Sequence, residues 1–124
     1  MTKKTLYNHI ILDHYRNPRC YGVLPDPDFS ISEITPLCGD SITVQGKIHD
    51  GKLTQYAFMG EGCIISQAAA SLLGESILDK PVLEIARLSS GAFLESLGVE
   101  LGSTRKKCAL LGFEALKKGI EPYA

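Results

Sequence analysis

The sequence predicts an α+β domain, and three observations carry that prediction. In the first half, Ile42, Val44, Gly46 and Ile48 alternate with polar neighbours, the period of a half-buried strand. In the second half the period changes: Ile64, Ile65, Ala68, Ala69, Leu72, Leu73 and Ile77 return at helical spacing. After one leading helix, strands come first and helices follow, whereas a parallel sheet would alternate them. The expected architecture is a small antiparallel three-stranded sheet packed against several helices, as a single domain over residues 1–124.

Each element has its own reason. A helix over 6–17 stops at Asn17-Pro18, because a residue before proline is pushed out of the helical region. Prolines and Gly22 make 18–28 a loop. A strand over 30–35 places Ile31 and Glu33 on one face and ends at Pro36. The alternating strand around Ile42–Ile48 runs into Asp50-Gly51, a strong hairpin turn. The returning strand over 53–59 puts Thr54, Tyr56 and Phe58 on one face. A long helix spans 63–78. Pro81 suits the first turn of a short helix over 82–88. Gly91 breaks that helix, and another short one covers 92–97. Ser103 is the expected N-cap of a last helix ending near Lys118-Gly119, which buries Cys108, Leu111, Gly112, Ala115 and Leu116.

Composition narrows the function. The chain has 124 residues, 44% of them hydrophobic, enough for a sizeable core. The formal charge of −1 gives no global field for nucleic acid, and no apolar run is long enough to span a bilayer. Residues 1–18 mix His9, Asp13, His14 and Arg16 into their apolar stretch, unlike a signal or transit peptide, so a cytoplasmic protein is expected. There reduced thiols, metal binding or catalysis outrank disulfides for the four cysteines.

Cys38 lies in PLCGDS, with Asp40 two residues on. Cys63 lies in GEGCIIS, between the returning strand and the long helix. Cys108 follows Arg105, Lys106 and Lys107 early in the last helix. A helix N-terminus and nearby cations both lower a thiol's pKa, favouring the thiolate that binds metal or attacks sulfur. Their separations are too long for a zinc finger and by themselves give only a weak metal signal; the Gly and Asp context makes ligation and burial as small hydrophobes about equal for these three. Cys20 has no ligand-like neighbour and reads as a packing residue. His9 can pair with Asp13 on a helix surface, and His14 and His49 read as surface or packing residues. Ser66 and Ser71 sit within a helix with no histidine near them in sequence, which gives serine nucleophile chemistry no support. Lys117-Lys118 reads as a solvated helix end.

Taken together, LYNHIILDHYRNPR, PLCGDS, GEGCIISQAAASLL and RKKCALLGFEALKKG resemble the U-type iron–sulfur assembly proteins: IscU, SufU and the N-terminal domain of NifU. The resemblance covers nearly the whole chain and implies a SufE/NifU-like fold with a shared site of Cys38, Asp40, Cys63 and Cys108. In the family such a site holds Zn²⁺, receives sulfur from a PLP-dependent cysteine desulfurase, or carries a [2Fe–2S] cluster in transit to apo iron–sulfur acceptor proteins. By position, the persulfide acceptor is Cys38 in the SufU mechanism and Cys108 in the IscU one. The chain departs from IscU at Lys107, where IscU has histidine. LGVELGSTRKK replaces the L-P-P-V-K segment, leaving docking to a dedicated Hsp70-type chaperone doubtful. GEGC and RKKCA are closer to SufU, yet the insertion SufU carries before its last cysteine is missing. The expected function is an assembly scaffold, more a scaffold than an enzyme. A zinc-dependent sulfurtransferase is the alternative, and a purely structural zinc protein ranks last. Neither nucleic acid nor membrane is an expected partner.

Overall fold

A computed structural model describes residues 9–36 and 39–124. The chain runs α1 (His9–Arg16), β1 (Phe29–Ile34), β2 (Ser41–His49), β3 (Lys52–Glu61), α2 (Ile64–Ile77), α3 (Val82–Ala86), α4 (Ser90–Ser96), α5 (Ser103–Ala109) and α6 (Leu111–Ile120), then a 3₁₀ turn at Glu121–Tyr123. The three strands form one antiparallel sheet in the order β1-β2-β3. The expected α+β class and three-stranded sheet are both present.

The hairpin forms where Asp50-Gly51 predicts it. Both residues have positive φ, +52° and +76°, as a type I′ turn requires. β3 does not keep simple alternation. Lys47 pairs with Gln55 but Ile48 pairs with Leu53, so Thr54 is the extra residue of a bulge. The bulge brings Leu53 into the core with Tyr56 and Phe58, while Thr54, expected to share their face, is only half-buried.

α2 is the central helix. Ten of its fourteen residues are buried, and it packs against α1, α5, α6 and β3. A helix apolar on nearly every side belongs at the middle of a fold. α6 lies across β1 and β2 at close range, because Gly119 has no side chain to collide with the Phe29 ring. This packing places the start of α2 and the helix before α6 beside the β1–β2 connection.

The helical boundaries differ from the sequence expectations in three places. α3 ends at Ala86 and α4 begins at Ser90, with the Ser89 hydroxyl accepting the Ala92 N–H at 3.1 Å, so Gly91 lies within α4 and does not break a helix. The last helix is two helices. At Leu110 the N–H reaches back to both Lys106 O (3.1 Å) and Lys107 O (3.3 Å), tightening the turn between α5 and α6. Its N-cap is Gly102, with Ser103 as first helical residue. Lys117 is not a solvated end: its Nζ donates to the carbonyls of Ala86 and Leu88, each at 2.7 Å, closing the end of α3. Among the described residues no helix is long and apolar enough to cross a membrane. Residues 6–8 of the expected first helix lie outside the described residues.

Candidate metal centre

Three connections converge on one point. The first is the turn from β1 to β2, closed by the Gly39 N–H on Thr35 O and the Thr35 N–H on Asp40 O, both at 2.9 Å. It presents Asp40, which is only 2% exposed. The second is the junction of β3 with α2, where Cys63 is the N-cap in extended conformation. The third is α5, whose Cys108 turns inward while Lys106 and Lys107 are exposed. A carboxylate oxygen of Asp40 and the Sγ atoms of Cys63 and Cys108 all lie within 4.8 Å of one another. Of the four site residues expected from sequence, the structure therefore brings together Asp40, Cys63 and Cys108. Cys38 lies outside the described residues.

Gly62 makes the convergence possible. Its φ is +141°, and a Cβ there would run into the Asp40 carboxylate, so the β3–α2 loop can lie against that group only as glycine. The Cys63 N–H then donates to Asp40 Oδ1 at 3.2 Å. Asp40 Oδ2 is buried and, among the described residues, accepts no hydrogen bond. Burial pushes the Asp40 carboxyl up. The Cys63 thiol and N–H, the Cys108 thiol and the Ser66 hydroxyl stand near enough to outweigh it and hold the group below its ordinary value. An ionised, buried oxygen without a partner is the kind of group that requires a cation.

Cys63 corrects a sequence expectation. Its place at a helix start was expected to favour the thiolate, but burial, and then the Asp40 carboxylate beside it, push its pKa up. The helix start is outweighed by burial and, after it, by a carboxylate brought from a distant turn. A metal bound there would have to displace the thiol's proton. The Ser66 hydroxyl donates to the Cys63 carbonyl at 3.0 Å and stands 3.9 Å from Cys63 Sγ. Cys20 does not join the site. It sits at φ +63° where its carbonyl accepts the Phe58 N–H, and burial and then Glu75 raise its pKa.

One residue escaped the sequence reading, and so did the surroundings of another. Gln67, on α2 one turn beyond Cys63, is buried with its Nε2 unpartnered. Ser71 does have a histidine beside it in space: its Oγ is 2.7 Å from His14 Nδ1, and His14 Nε2 is 3.2 Å from Glu75. The trio resembles a hydrolytic triad in outline. However, Ser71 is 0% exposed and its Oγ already accepts the Arg19 N–H at 2.8 Å, so no substrate can reach it. It fastens α1 to α2. Asp13 pairs with Arg19 at 2.6 Å rather than with His9.

Comparison with known proteins agrees with this architecture. Residues 6–124 match the family model described as the NifU-like N-terminal domain. The zinc-dependent sulfurtransferase SufU of Bacillus subtilis is 37% identical, covering 94% of this chain and 90% of that one. The iron–sulfur cluster assembly scaffold protein IscU of Thermotoga maritima is 34% identical, covering 98% and 96%. The crystal structure of a nitrogen-fixing NifU-like protein (N-terminal) from Brucella abortus superimposes with a TM-score of 0.79 at 26% identity, over 95% of this chain and 94% of that one. The chain thus belongs to the NifU-like N-terminal domain family.

Proposed function

We propose that this chain is an iron–sulfur assembly scaffold that takes sulfur from a cysteine desulfurase, builds a [2Fe–2S] cluster on Cys38, Asp40, Cys63 and Cys108, and passes it to apo acceptor proteins. The observation that carries this is the buried, unpartnered Oδ2 of Asp40 in a group where two thiols and a carboxylate stand within 4.8 Å. Those donors suit the cargo. Thiolates are soft ligands for iron and zinc, and a carboxylate is a harder, weaker one that favours release. Cys38 enters through its sequence, two residues before Asp40.

The protein's own part is to accept and hold. A thiolate attacks the outer sulfur of the desulfurase persulfide; a new S–S bond forms as the donor's S–S bond breaks, and the donor leaves as thiolate, with no net redox change. The acceptor is Cys38 or Cys108. Reduction of that sulfur to sulfide draws electrons from ferrous iron and an added dithiol.

A second reading is favoured by one feature. Lys107 is exposed and, where IscU has histidine, gives no ligand, and the same donors suit Zn²⁺. The chain would then be a zinc-dependent sulfur shuttle. When bound, zinc would hold the thiolates without redox chemistry.

Anaerobic reconstitution with ferrous iron, cysteine, dithiol and a cysteine desulfurase separates the two. A scaffold develops visible cluster absorption and converts an apo-ferredoxin. A shuttle purifies with one zinc per chain and raises desulfurase turnover without colour. If neither occurs, both readings fall.

A further inference from the structure

Among the described residues two buried side-chain atoms lack a hydrogen-bond partner: Asp40 Oδ2 and Gln67 Nε2. Their demands are opposite. The carboxylate oxygen needs a cation or a donor, whereas the amide nitrogen needs an acceptor. A bare metal ion answers only the first. A metal with a sulfur anion beside it answers both.

Helix geometry carries the Gln67 amide toward that sulfur. The Gln67 N–H donates to the Cys63 carbonyl at 3.3 Å, so the two residues stand one turn apart on the same face of α2. Helical side chains tilt toward the N-terminus and cover the turn before their own Cα. Gln67 therefore leans over the turn that begins at Cys63. Farther along the same face, Ala70 abuts Gly112 of α6. α5, which carries Cys108, also packs on α2. Gln67 is 8% exposed, so its unpartnered amide is enclosed on a face of α2 that begins at Cys63. The rest of α2 near it is Ile, Ala, Leu and small hydroxyl residues, so a glutamine here is not what packing alone would select.

We infer that Gln67 is a sulfur-binding residue whose amide donates a hydrogen bond to the anionic sulfur held at Cys63, whether sulfide of an assembled cluster or thiolate under load. This deepens the assembly reading and rests on it. Gln67 has no acceptor until sulfur and metal arrive, so it favours the loaded state and slightly penalises the empty one.

That asymmetry gives a test which a structural glutamine would fail. Gln67→Met keeps the length and helix preference and removes the donor. Gln67→Glu replaces the donor with an acceptor. The full-length protein is loaded anaerobically as above, and the absorption of each cluster is followed under a ferrous chelator. In parallel, without iron, the intact mass of each chain shows whether it accepts sulfur from the desulfurase. Thermal melts are recorded on the empty proteins. The expected result is that Gln67→Met melts at or above the wild type when empty, accepts sulfur as the wild type does, because the acceptor is Cys38 or Cys108, and loses its cluster at least about tenfold faster; Gln67→Glu is worse still. A Met variant that holds its cluster as long as the wild type makes the amide structural and overturns the inference alone. A wild type that takes up neither iron nor sulfur overturns the assembly reading, and the inference with it.

Discussion

Gly62 is the residue on which the site's assembly depends most sharply, and replacing it with alanine separates two costs. The backbone there has φ +141°, a region that L side chains rarely adopt, and holding alanine in it costs of order 1–3 kcal/mol. The added Cβ also collides with the side chain of Asp40, which supplies all three of its nearest atoms. Asp40 must then retreat and give up the Cys63 N–H, a hydrogen bond to a charged group contributing about 1.5–3 kcal/mol. Gly62→Ala should therefore destabilise the metal-free protein by about 3–5 kcal/mol and weaken zinc binding. Gly51→Ala is the control: φ is +76°, but nothing lies within 4 Å of its Cβ, so it incurs backbone strain alone. Urea denaturation of both variants, with zinc affinity by competition against a chelating dye, reads the two costs apart. If Gly62→Ala matches Gly51→Ala in stability and binds zinc like the wild type, the contact between Gly62 and Asp40 does not build the site.

Three other outcomes follow from the same structure. Asp40→Ala removes what the scaffold reading makes the weakest donor and should slow cluster transfer to an apo-ferredoxin, measured by the acceptor's absorption; unchanged transfer kinetics would remove Asp40 from the release step. His14 has a lowered folded pKa, chiefly from burial and then from Arg19, against the opposing pull of Glu75 and Asp13. Above its ordinary value of 6.5 both folded and unfolded states are neutral; below it the unfolded state takes up a proton that the folded state resists. Stability should fall as pH drops below about 6.5, with a smaller fall in His14→Gln, checked by urea midpoints at successive pH values. Lys117→Met leaves the carbonyls of Ala86 and Leu88 without their donor and should cost about 1–3 kcal/mol in the same assay.

What was legible in the sequence was whatever depends on local period and turn chemistry. The alternation at Ile42, Val44, Gly46 and Ile48, the Asp50-Gly51 turn and the apolar run of α2 each specify their element without help from distant residues. The Thr54 bulge was not legible, because it exists only in the register between β2 and β3. Nor was the break at Leu110, where each flank has the helical pattern of its neighbour. At the site, Asp40, Cys63 and Cys108 were readable as candidates through residue type and family resemblance. Their mutual arrangement was not. The raised pKa of Cys63 comes first from burial and then from a carboxylate 23 residues back in the chain, and His14 meets Ser71 across 57 residues. Gln67 did leave a signal, a lone amide four residues after Cys63 among apolar and small hydroxyl residues, but only its unpartnered nitrogen in the folded protein makes that signal specific.

The central claim is that Asp40, Cys63 and Cys108, with Cys38, form one metal and sulfur centre. X-ray absorption at the zinc edge, on the chain loaded with one equivalent of zinc, tests it most directly. The account predicts a mixed shell of three sulfurs and one oxygen at about 2.3 and 2.0–2.2 Å, with the oxygen lost in Asp40→Ala and a sulfur lost in Cys63→Ser and Cys108→Ser. A shell of nitrogen and oxygen alone, or one unchanged by those substitutions, would contradict it.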